Sequence, residues 1–319
     1  MKPRVSVVVC TFNRYDLLPE AIASIELQNL PRDDYELIIV DNSGEPAARE
    51  RFLSGLEVVC HYRYITEARP GLSRARNIGI TAAAADIVAF MDDDAKASPN
   101  WLARILGNFG ESEGTGIVGG PVRPIWKAPR PPWLHPELEG YLTIVDRGSA
   151  VRALRPEEWL AGTNIAFRKN ALEEAGFFSE NMGRSGRLLL SNEELVISQK
   201  IRQLGYEVVY DPEIVVHHSV HAERTSQAWL RRRVFWQAIS DLFAEPTLLR
   251  AETQPDREIG CILDFLMQLA PENRGTMGLF LDLDDPELFR AQTEAIGALA
   301  RFLAGHAGDW RCVLGGAGS

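Results

Sequence analysis

The first hundred residues alternate between short apolar runs and stretches whose apolar side chains recur at helical spacing. Residues 5–10 are β-branched and almost wholly apolar, which predicts a strand buried on both faces. Leu18, Ile22 and Ile25 follow at intervals of three or four, which predicts a helix. Further strands are predicted at 37–40, 58–64 and 87–91, and a further helix at 71–85. This alternation indicates an α/β protein with helices packed on the faces of a parallel sheet.

The pattern changes after about residue 110. Residues 121–136 are rich in proline, which cannot donate to a strand ladder, so we expect an irregular covering segment there. Later elements are predicted as a strand at 162–167, a helix from Asn192 to Gly205 and short strands at 206–210 and 214–217. From about residue 222 apolar side chains recur every four positions, so the remainder is predicted to be mainly helical.

Composition and charge narrow the possible partners of the chain. With 319 residues, 45% of them hydrophobic, it is long enough for one large domain or two modest ones. A formal net charge of −10 argues against general binding to nucleic acid, which needs an excess of cations. The four cysteines are widely spaced, and no run of about 18 apolar residues occurs. We therefore expect a cytoplasmic protein without a transmembrane span.

One cationic run lies in the predicted helical remainder. Arg231, Arg232 and Arg233 accompany the apolar stripe of a helix. They form either a solvated helix face or a patch that meets phosphate or anionic lipid. The second alternative would give the protein a peripheral contact with the inner face of a membrane.

Three carboxylates, Asp92, Asp93 and Asp94, come directly after the apolar run at 87–91. Adjacent like charges repel one another unless a counter-charge is present. Hard oxygen ligands suit Mg2+ or Mn2+, and such an ion with a bound polyphosphate would supply that counter-charge. The alternative is a solvated acidic turn, so the neighbouring motifs decide between the two interpretations.

Two other predicted strands also end in polar side chains. Thr11 and Asn13 follow the first strand, and Asp41 follows the second. In parallel sheets, ligands bind beyond the carboxyl ends of the strands, where the strand order switches. We therefore expect these side chains and the acidic triplet to converge on one ligand site.

Six motifs, taken in order, resemble the signatures of the family 2 glycosyltransferases. They are residues 7–14 (VVVCTFNR), 39–43 (IVDNS), 75–79 (ARNIG), 90–94 (FMDDD), 192–195 (NEEL) with Gly205, and 210–212 (YDP) leading to His218. The resemblance implies a GT-A fold, a Rossmann-like mixed sheet with helices on both faces, over residues 1–220. It also implies a nucleotide-sugar half at about 1–110, an acceptor half at about 111–220 and a mainly helical extension at 221–319.

The resemblance implies a nucleotide-sugar donor, above all a UDP-sugar. Asp41 matches the position that contacts the base edge, since uracil offers an N3–H donor to a carboxylate, and Asp92 is expected at the ribose. The full set of expected nucleotide-binding residues is Thr11, Asn13, Arg14, Asp41, Arg76, Asp92 and Asp93. Taken singly, Asp41 also fits a turn, Asn13 a helix cap and Arg76 an exposed helical cation.

The resemblance further implies a divalent metal, Mn2+ or Mg2+, that stabilises the leaving diphosphate. Asp93, Asp94 and His218 are the expected ligands, and which of the two carboxylates binds directly is left open. His217 is the alternative to His218, because neighbouring residues of a strand point to opposite faces.

One motif departs from the family pattern. The family usually has Glu-Asp where this chain has Glu193 and Glu194. Counted back from Gly205, Glu194 matches the general base that deprotonates the acceptor hydroxyl, and Glu193 would orient the acceptor or support the loop. Glutamate reaches one methylene further than aspartate, so the base works if the backbone lies slightly further away.

Together, the residues and the resemblance predict a metal-dependent inverting glycosyltransferase. Its acceptor would be a saccharide, lipid-linked or small-molecule hydroxyl, in cell-surface polysaccharide or glycolipid synthesis. Because the acid pair is altered, a non-catalytic nucleotide- or carbohydrate-binding protein on the same scaffold is the alternative. A sugar-phosphate nucleotidyltransferase is disfavoured, since no glycine-rich loop follows the first strand.

Overall fold

The computed structural model describes residues 2–180, 182–184, 189–244 and 254–306. By its contacts the chain forms two units. The first comprises Met1–Ile125, Thr143–Arg187 and Glu193–Ser219, and the second comprises Trp126–Leu142, Leu188–Asn192 and Val220–Ser319. The division expected from the sequence, at residue 220 with two halves before it, stays a prediction.

The first unit contains a mixed sheet of eight strands. They are β1 (Val5–Thr11), β2 (Tyr35–Asp41), β3 (His61–Thr66), β4 (Ile87–Asp92), β6 (Thr115–Gly119), β8 (Arg152–Ala153), β9 (Ile165–Arg168) and β10 (Glu207–Tyr210). In space their order is β3-β2-β1-β4-β9-β6-β10-β8. β9 runs antiparallel to both neighbours and β8 antiparallel to β10, while the other pairings are parallel. The mixed sheet that the resemblance implied is confirmed.

Helices cover both faces of this sheet. They are α1 (Leu18–Glu26), α2 (Pro46–Ser54), α3 (Leu72–Ala82), α4 (Trp101–Glu111), α5 (Lys169–Ala175) and α6 (Glu193–Gln203). Val7 of β1 shares a core with α1 and α4, whereas its neighbour Val8 shares another core with α3, α5 and α6. Adjacent strand residues point to opposite faces, so burial of both faces explains why β1 is apolar almost throughout.

A second, three-stranded sheet lies next to the acidic triplet. Its order is β5 (Ala95–Ala97), β11 (Val216–Val220) and β7 (Val122–Trp126). The expectation of an irregular segment at 121–136 is therefore wrong for β7. Pro124 is accommodated because β7 lies at the edge of this sheet, where a missing N–H donor is tolerated. β11 extends beyond the predicted end at 217, so His217 and His218 lie within the strand.

The second unit is mainly helical where the structure describes it, as predicted. Its helices are α7 (Gln227–Phe243), α8 (Pro255–Gln268) and α9 (Pro286–His306). Phe265 of α8 and Ala295 of α9 belong to one buried apolar cluster. Residues 245–253 and 307–319 of the predicted extension, including Cys312, lie outside the described residues.

The arginine run at 231–233 is only partly solvated, because Arg232 is exposed and Arg231 is not. Arg231 is buried, and its guanidinium donates to the carbonyl of Leu281 and to Oδ1 of Asp282, both at 2.9 Å. A guanidinium held by internal acceptors does not reach phosphate or lipid, so both expected roles are wrong for Arg231. Within the described ranges, no helix combines the length and apolarity needed to cross a bilayer.

Candidate active site

Three neighbouring strands end in polar residues at one edge of the large sheet. In the register of β1 with β2, Thr11 lies opposite Asp41, and in the register of β1 with β4, Cys10 lies opposite Asp92. The carboxyl ends of parallel strands meet at the same edge, which places these side chains close together. The expected convergence of the strand ends is therefore present in the structure.

Two carboxylates and one imidazole form a group that could hold a metal ion. Ligand atoms of Asp92, Asp94 and His218 all lie within 4.8 Å of one another. Pairing of β11 with β5 places His218 opposite Ala95, directly after the triplet, and Nε2 of His218 lies 3.2 Å from Oδ1 of Asp94. The group differs from the expected set, because Asp92 takes the place of Asp93.

Asp93 is held by protein donors instead. The Thr11 hydroxyl donates to Oδ2 of Asp93 at 2.7 Å, and Nη1 of Arg14 donates to Oδ1 at 3.1 Å. The same nitrogen of Arg14 donates to Oδ2 of Asp94 at 2.8 Å. Burial raises the pKa of Asp93 to about 6, and the charge of Asp94 adds to this, although Arg14 and the Thr11 hydroxyl oppose it. Arg14 thus supplies positive charge to two of the three carboxylates.

Asp41, the expected contact of the base edge, is completely buried. Its Oδ2 accepts hydrogen bonds from the hydroxyls of Tyr64, at 2.6 Å, and Tyr15, at 2.9 Å. Its Oδ1 accepts the backbone N–H of Ser43 at 2.9 Å. Neither tyrosine was predicted from the sequence to be a site residue, although each lies close to the carboxyl end of a predicted strand. The carboxylate of Asp41 is enclosed by these donors.

Asn13 lies in the loop after β1, as expected, but it does not cap a helix. It is exposed and has a φ of 55°, in the left-handed region that asparagine tolerates. Its backbone N–H donates to the Ser43 hydroxyl at 2.7 Å. Because α1 begins only at Leu18, the helix-cap interpretation of Asn13 is wrong.

A buried arginine faces both acids of the altered motif. Nη1 of Arg76 lies 3.0 Å from Oε1 of Glu193 and 2.9 Å from Oε1 of Glu194. Arg76 and Glu193 side chains are each 4% exposed, whereas the Glu194 side chain is 19% exposed. The Arg76 guanidinium also lies 6.0 Å from the ring centroid of Phe90 and 5.4 Å from that of Phe178. The alternative of an exposed helical cation is wrong for Arg76.

The protonation of Glu193 reflects this environment. Burial raises the pKa of Glu193, the charge of Glu194 raises it further, and Arg76 lowers it only in part. One guanidinium does not offset two carboxylates, so the surroundings favour the protonated form of Glu193.

The loop before β9 connects the acid pair to the acidic triplet. A Cβ atom at Gly162 would lie 1.9 Å from Oε1 of Glu194 and 2.4 Å from Nη2 of Arg76, so only glycine leaves room for them. The next residue, Thr163, accepts the backbone N–H of Asp92 on its hydroxyl at 3.1 Å. From the sequence, Gly162 and Thr163 were predicted only as the start of a strand at 162–167. The Gly-Thr pair ahead of the apolar run of that strand was the available signal.

The chain belongs to glycosyl transferase family 2, whose model matches residues 6–176. It is 31% identical over 243 residues to the glucosyl-dolichyl phosphate glucuronosyltransferase of Haloferax volcanii, covering 74% of this chain and 76% of that protein. It is 29% identical over 236 residues to the succinoglycan biosynthesis protein ExoM of Rhizobium meliloti, covering 72% of each. The protein is therefore a glycosyltransferase, and the non-catalytic alternative is set aside.

Two solved structures share the fold of this chain. The mannosyltransferase PcManGT from Pyrobaculum calidifontis, in complex with GDP-Man and Mn2+, has a TM-score of 0.58 and 21% identity, over 96% of this chain and 88% of that one. GalNAc-T7, with UDP, GalNAc and Mn2+, has a TM-score of 0.54 and 16% identity, over 91% of this chain and 54% of that one. The predicted GT-A fold is confirmed.

Proposed function

We propose that the protein is a metal-dependent inverting glycosyltransferase that moves a sugar from a nucleotide diphosphate, above all UDP, to a hydroxyl of a glycan or lipid-linked acceptor. The grouping of Asp92, Asp94 and His218 at the end of β4 carries this proposal. One relative is named for glucosyl-dolichyl phosphate and another for succinoglycan biosynthesis, which supports these acceptor classes. A lipid-linked acceptor would bring the enzyme to the inner face of a membrane.

The ligand types and their spacing fit a divalent ion. Two carboxylates and a neutral imidazole suit Mn2+, with Mg2+ as the alternative. Ligands bound at about 2.1 Å lie no more than about 4.2 Å apart, so a slight closure of the 4.8 Å group is sufficient. Bound there, the ion would offset the negative charge that develops on the leaving diphosphate. In the proposed set Asp94 and His218 keep their expected roles, and Asp92 replaces Asp93.

The nucleoside is proposed to bind over the loop that follows β1. Arg14 and Thr11 fix Asp93 and Asp94 in this region, and the Arg14 side chain is 36% exposed, so it can also face the diphosphate. Asp41 is enclosed, which favours an indirect role at the base. Each phenol that donates to Asp41 keeps an acceptor lone pair, so Tyr15 or Tyr64 can accept the N3–H of uracil.

Glu194 is proposed as the general base. It is the second residue of α6, directly after Glu193, and its side chain is the more exposed of the two. Arg76 fixes one oxygen of Glu194, so the carboxylate is oriented before the acceptor arrives. Glu194 takes the proton of the acceptor hydroxyl as that oxygen attacks the anomeric carbon and the nucleoside diphosphate leaves. This direct displacement inverts the anomeric centre, so an α-linked donor gives a β-glycoside.

The first test is a calorimetric titration of UDP, GDP and dTDP into the protein, with and without Mn2+. We expect UDP to bind with Mn2+ and Asp94→Asn to weaken that binding at least about tenfold, or about 1.4 kcal/mol. Asp86→Asn is the matched control, because Asp86 precedes β4 and forms an exposed ion pair with Lys2. Binding that ignores Mn2+, or that Asp94→Asn leaves intact, would remove the metal from the proposal.

A further inference from the structure

An arginine of the first unit stacks on a tryptophan without a counter-charge. The guanidinium carbon of Arg147 lies 5.4 Å from the ring centroid of Trp159, within the range of a cation–π contact. Nε of Arg147 is buried and has no hydrogen-bond acceptor among the residues that the structure describes. A buried N–H without an acceptor is unfavourable for folding, so stability alone does not explain this arrangement.

Asp146 precedes Arg147 in the chain and Glu158 precedes Trp159. The carboxylates of both accept hydrogen bonds from other residues. Oδ1 of Asp146 accepts the backbone N–H of Gly148 at 2.8 Å and the hydroxyl of Tyr210 at 3.3 Å. Both oxygens of Glu158 accept from the guanidinium of Arg152 at 2.7 Å. Within the described part of the chain, Arg147 therefore forms no ion pair. Its charge remains available to a ligand.

A short stretch of chain links the tryptophan under Arg147 to the acid pair. Gly162, three residues after Trp159, packs against Glu194 and Arg76. Three residues of chain span at most about 11 Å, so Trp159 is no further than this from Gly162. An acceptor molecule that extends over this distance would contact both Glu194 and Arg147.

We propose that Arg147, held on Trp159, binds a phosphate group of the acceptor. This rests on the proposed function, since it takes Glu194 as the base that meets the acceptor hydroxyl. A guanidinium remains charged at any physiological pH and offers phosphate paired N–H donors in a fixed plane. The ligand class is a glycosyl phosphate, and the same phosphate chemistry could also be offered by a lipid headgroup.

The test is a titration into protein saturated with UDP and Mn2+, so that the diphosphate site is already filled. The probes are glucose 1-phosphate and, as its neutral match, glucose. We expect the sugar phosphate to bind at least tenfold more tightly than glucose, and Arg147→Gln to abolish that difference. Arg147→Lys, which keeps the charge, should retain part of it. Arg155→Gln is the control, because it removes a nearby exposed arginine, which pairs with Glu157 and Glu158, and leaves both Arg147 and Trp159 unchanged.

Different results of this titration would overturn different parts of the proposal. No binding of glucose 1-phosphate, or equal binding by Arg147→Gln and the unchanged protein, would overturn the subsite. Vesicles of phosphatidylcholine with and without phosphatidylglycerol separate the two phosphate sources. Binding to the anionic vesicles that depends on Arg147 and that glucose 1-phosphate does not compete would overturn the acceptor assignment in favour of a bilayer. If UDP fails to bind but glucose 1-phosphate binds through Arg147, the proposed function fails and the phosphate subsite stands.

Discussion

Nη1 of Arg76 lies 2.9 Å from Oε1 of Glu194, although the two residues come from different helices, α3 and α6. The same nitrogen lies 3.0 Å from Oε1 of Glu193. Charges interact more strongly in such a buried site than at the surface, because water screens them less. We infer that Arg76 fixes the longer side chain that this protein carries where its family usually has aspartate.

The two acids should differ in their effect on turnover. Glu194→Gln is expected to lower kcat about a hundredfold or more, because an amide cannot take the proton of the acceptor hydroxyl. Its binding of UDP with Mn2+ should persist. Glu193→Gln should lower kcat much less, since Glu193 is buried and paired with Arg76. The measurement is UDP release from the donor sugar, and retained turnover in Glu194→Gln would contradict its role as the base.

Removal of the shared cation should destabilise the fold. Arg76→Met leaves two neighbouring carboxylates without their counter-charge, and breaking a buried ion pair in this way costs about 3–5 kcal/mol. The free energy of unfolding in urea measures the loss. Lys2→Met, at an ion pair that is exposed on both sides, should cost far less. Adding Glu193→Gln to Arg76→Met should recover part of the stability, and a double variant less stable than Arg76→Met would contradict a charge origin.

The sequence predicted the three central strands β1, β2 and β4 because they are buried on both faces. β1, β2 and β4 are continuous apolar runs, which a local pattern can identify. β7 was missed because Pro124 argues against a strand unless the strand lies at an edge, and edge position is a property of the whole sheet. An edge strand that contains proline is therefore not identified by its local composition.

The candidate site was only partly predictable for a similar reason. The acidic triplet and His218 were identified, but the choice between Asp92 and Asp93 depends on the turn after β4, which directs adjacent side chains differently. The contact of Arg76 with Glu193 joins residues 117 positions apart. Neither the turn geometry nor such a distant pairing leaves a trace in the periodicity of a single sequence.

The pH dependence of stability should carry a contribution from Glu193. Burial, and then the charge of Glu194, raise its pKa above the ordinary value of 4.5. Below 4.5 the side chain is protonated in both states, so its contribution is fully present. As the pH rises through the native pKa, the native state binds more protons than the unfolded chain, and stability is lost.

Glu193→Gln removes this titration. The free energy of unfolding of the unchanged protein, taken relative to Glu193→Gln, should therefore fall as the pH rises above 4.5 and then level off. Urea denaturation at a series of pH values measures both proteins. A difference that stays constant, or that grows with pH, would mean that Glu193 is not held in the protonated form by its surroundings.

The absence of a side chain at Gly162 should be as important for turnover as the carboxylates of Glu193 and Glu194. In Gly162→Ala the new methyl group would overlap Oε1 of Glu194 and Nη2 of Arg76, so both must move. A displacement of about 1 Å at a reacting group costs about a hundredfold in rate, and we expect kcat to fall by that order while UDP still binds with Mn2+.

Gly107→Ala in α4 is the matched control, because its methyl group would have no atom within 4 Å. It should keep full activity and gain about 0.5–1 kcal/mol of stability, as glycine in a helix interior is unfavourable. Full activity in Gly162→Ala would show that the position of Glu194 against Gly162 is not the one used in catalysis.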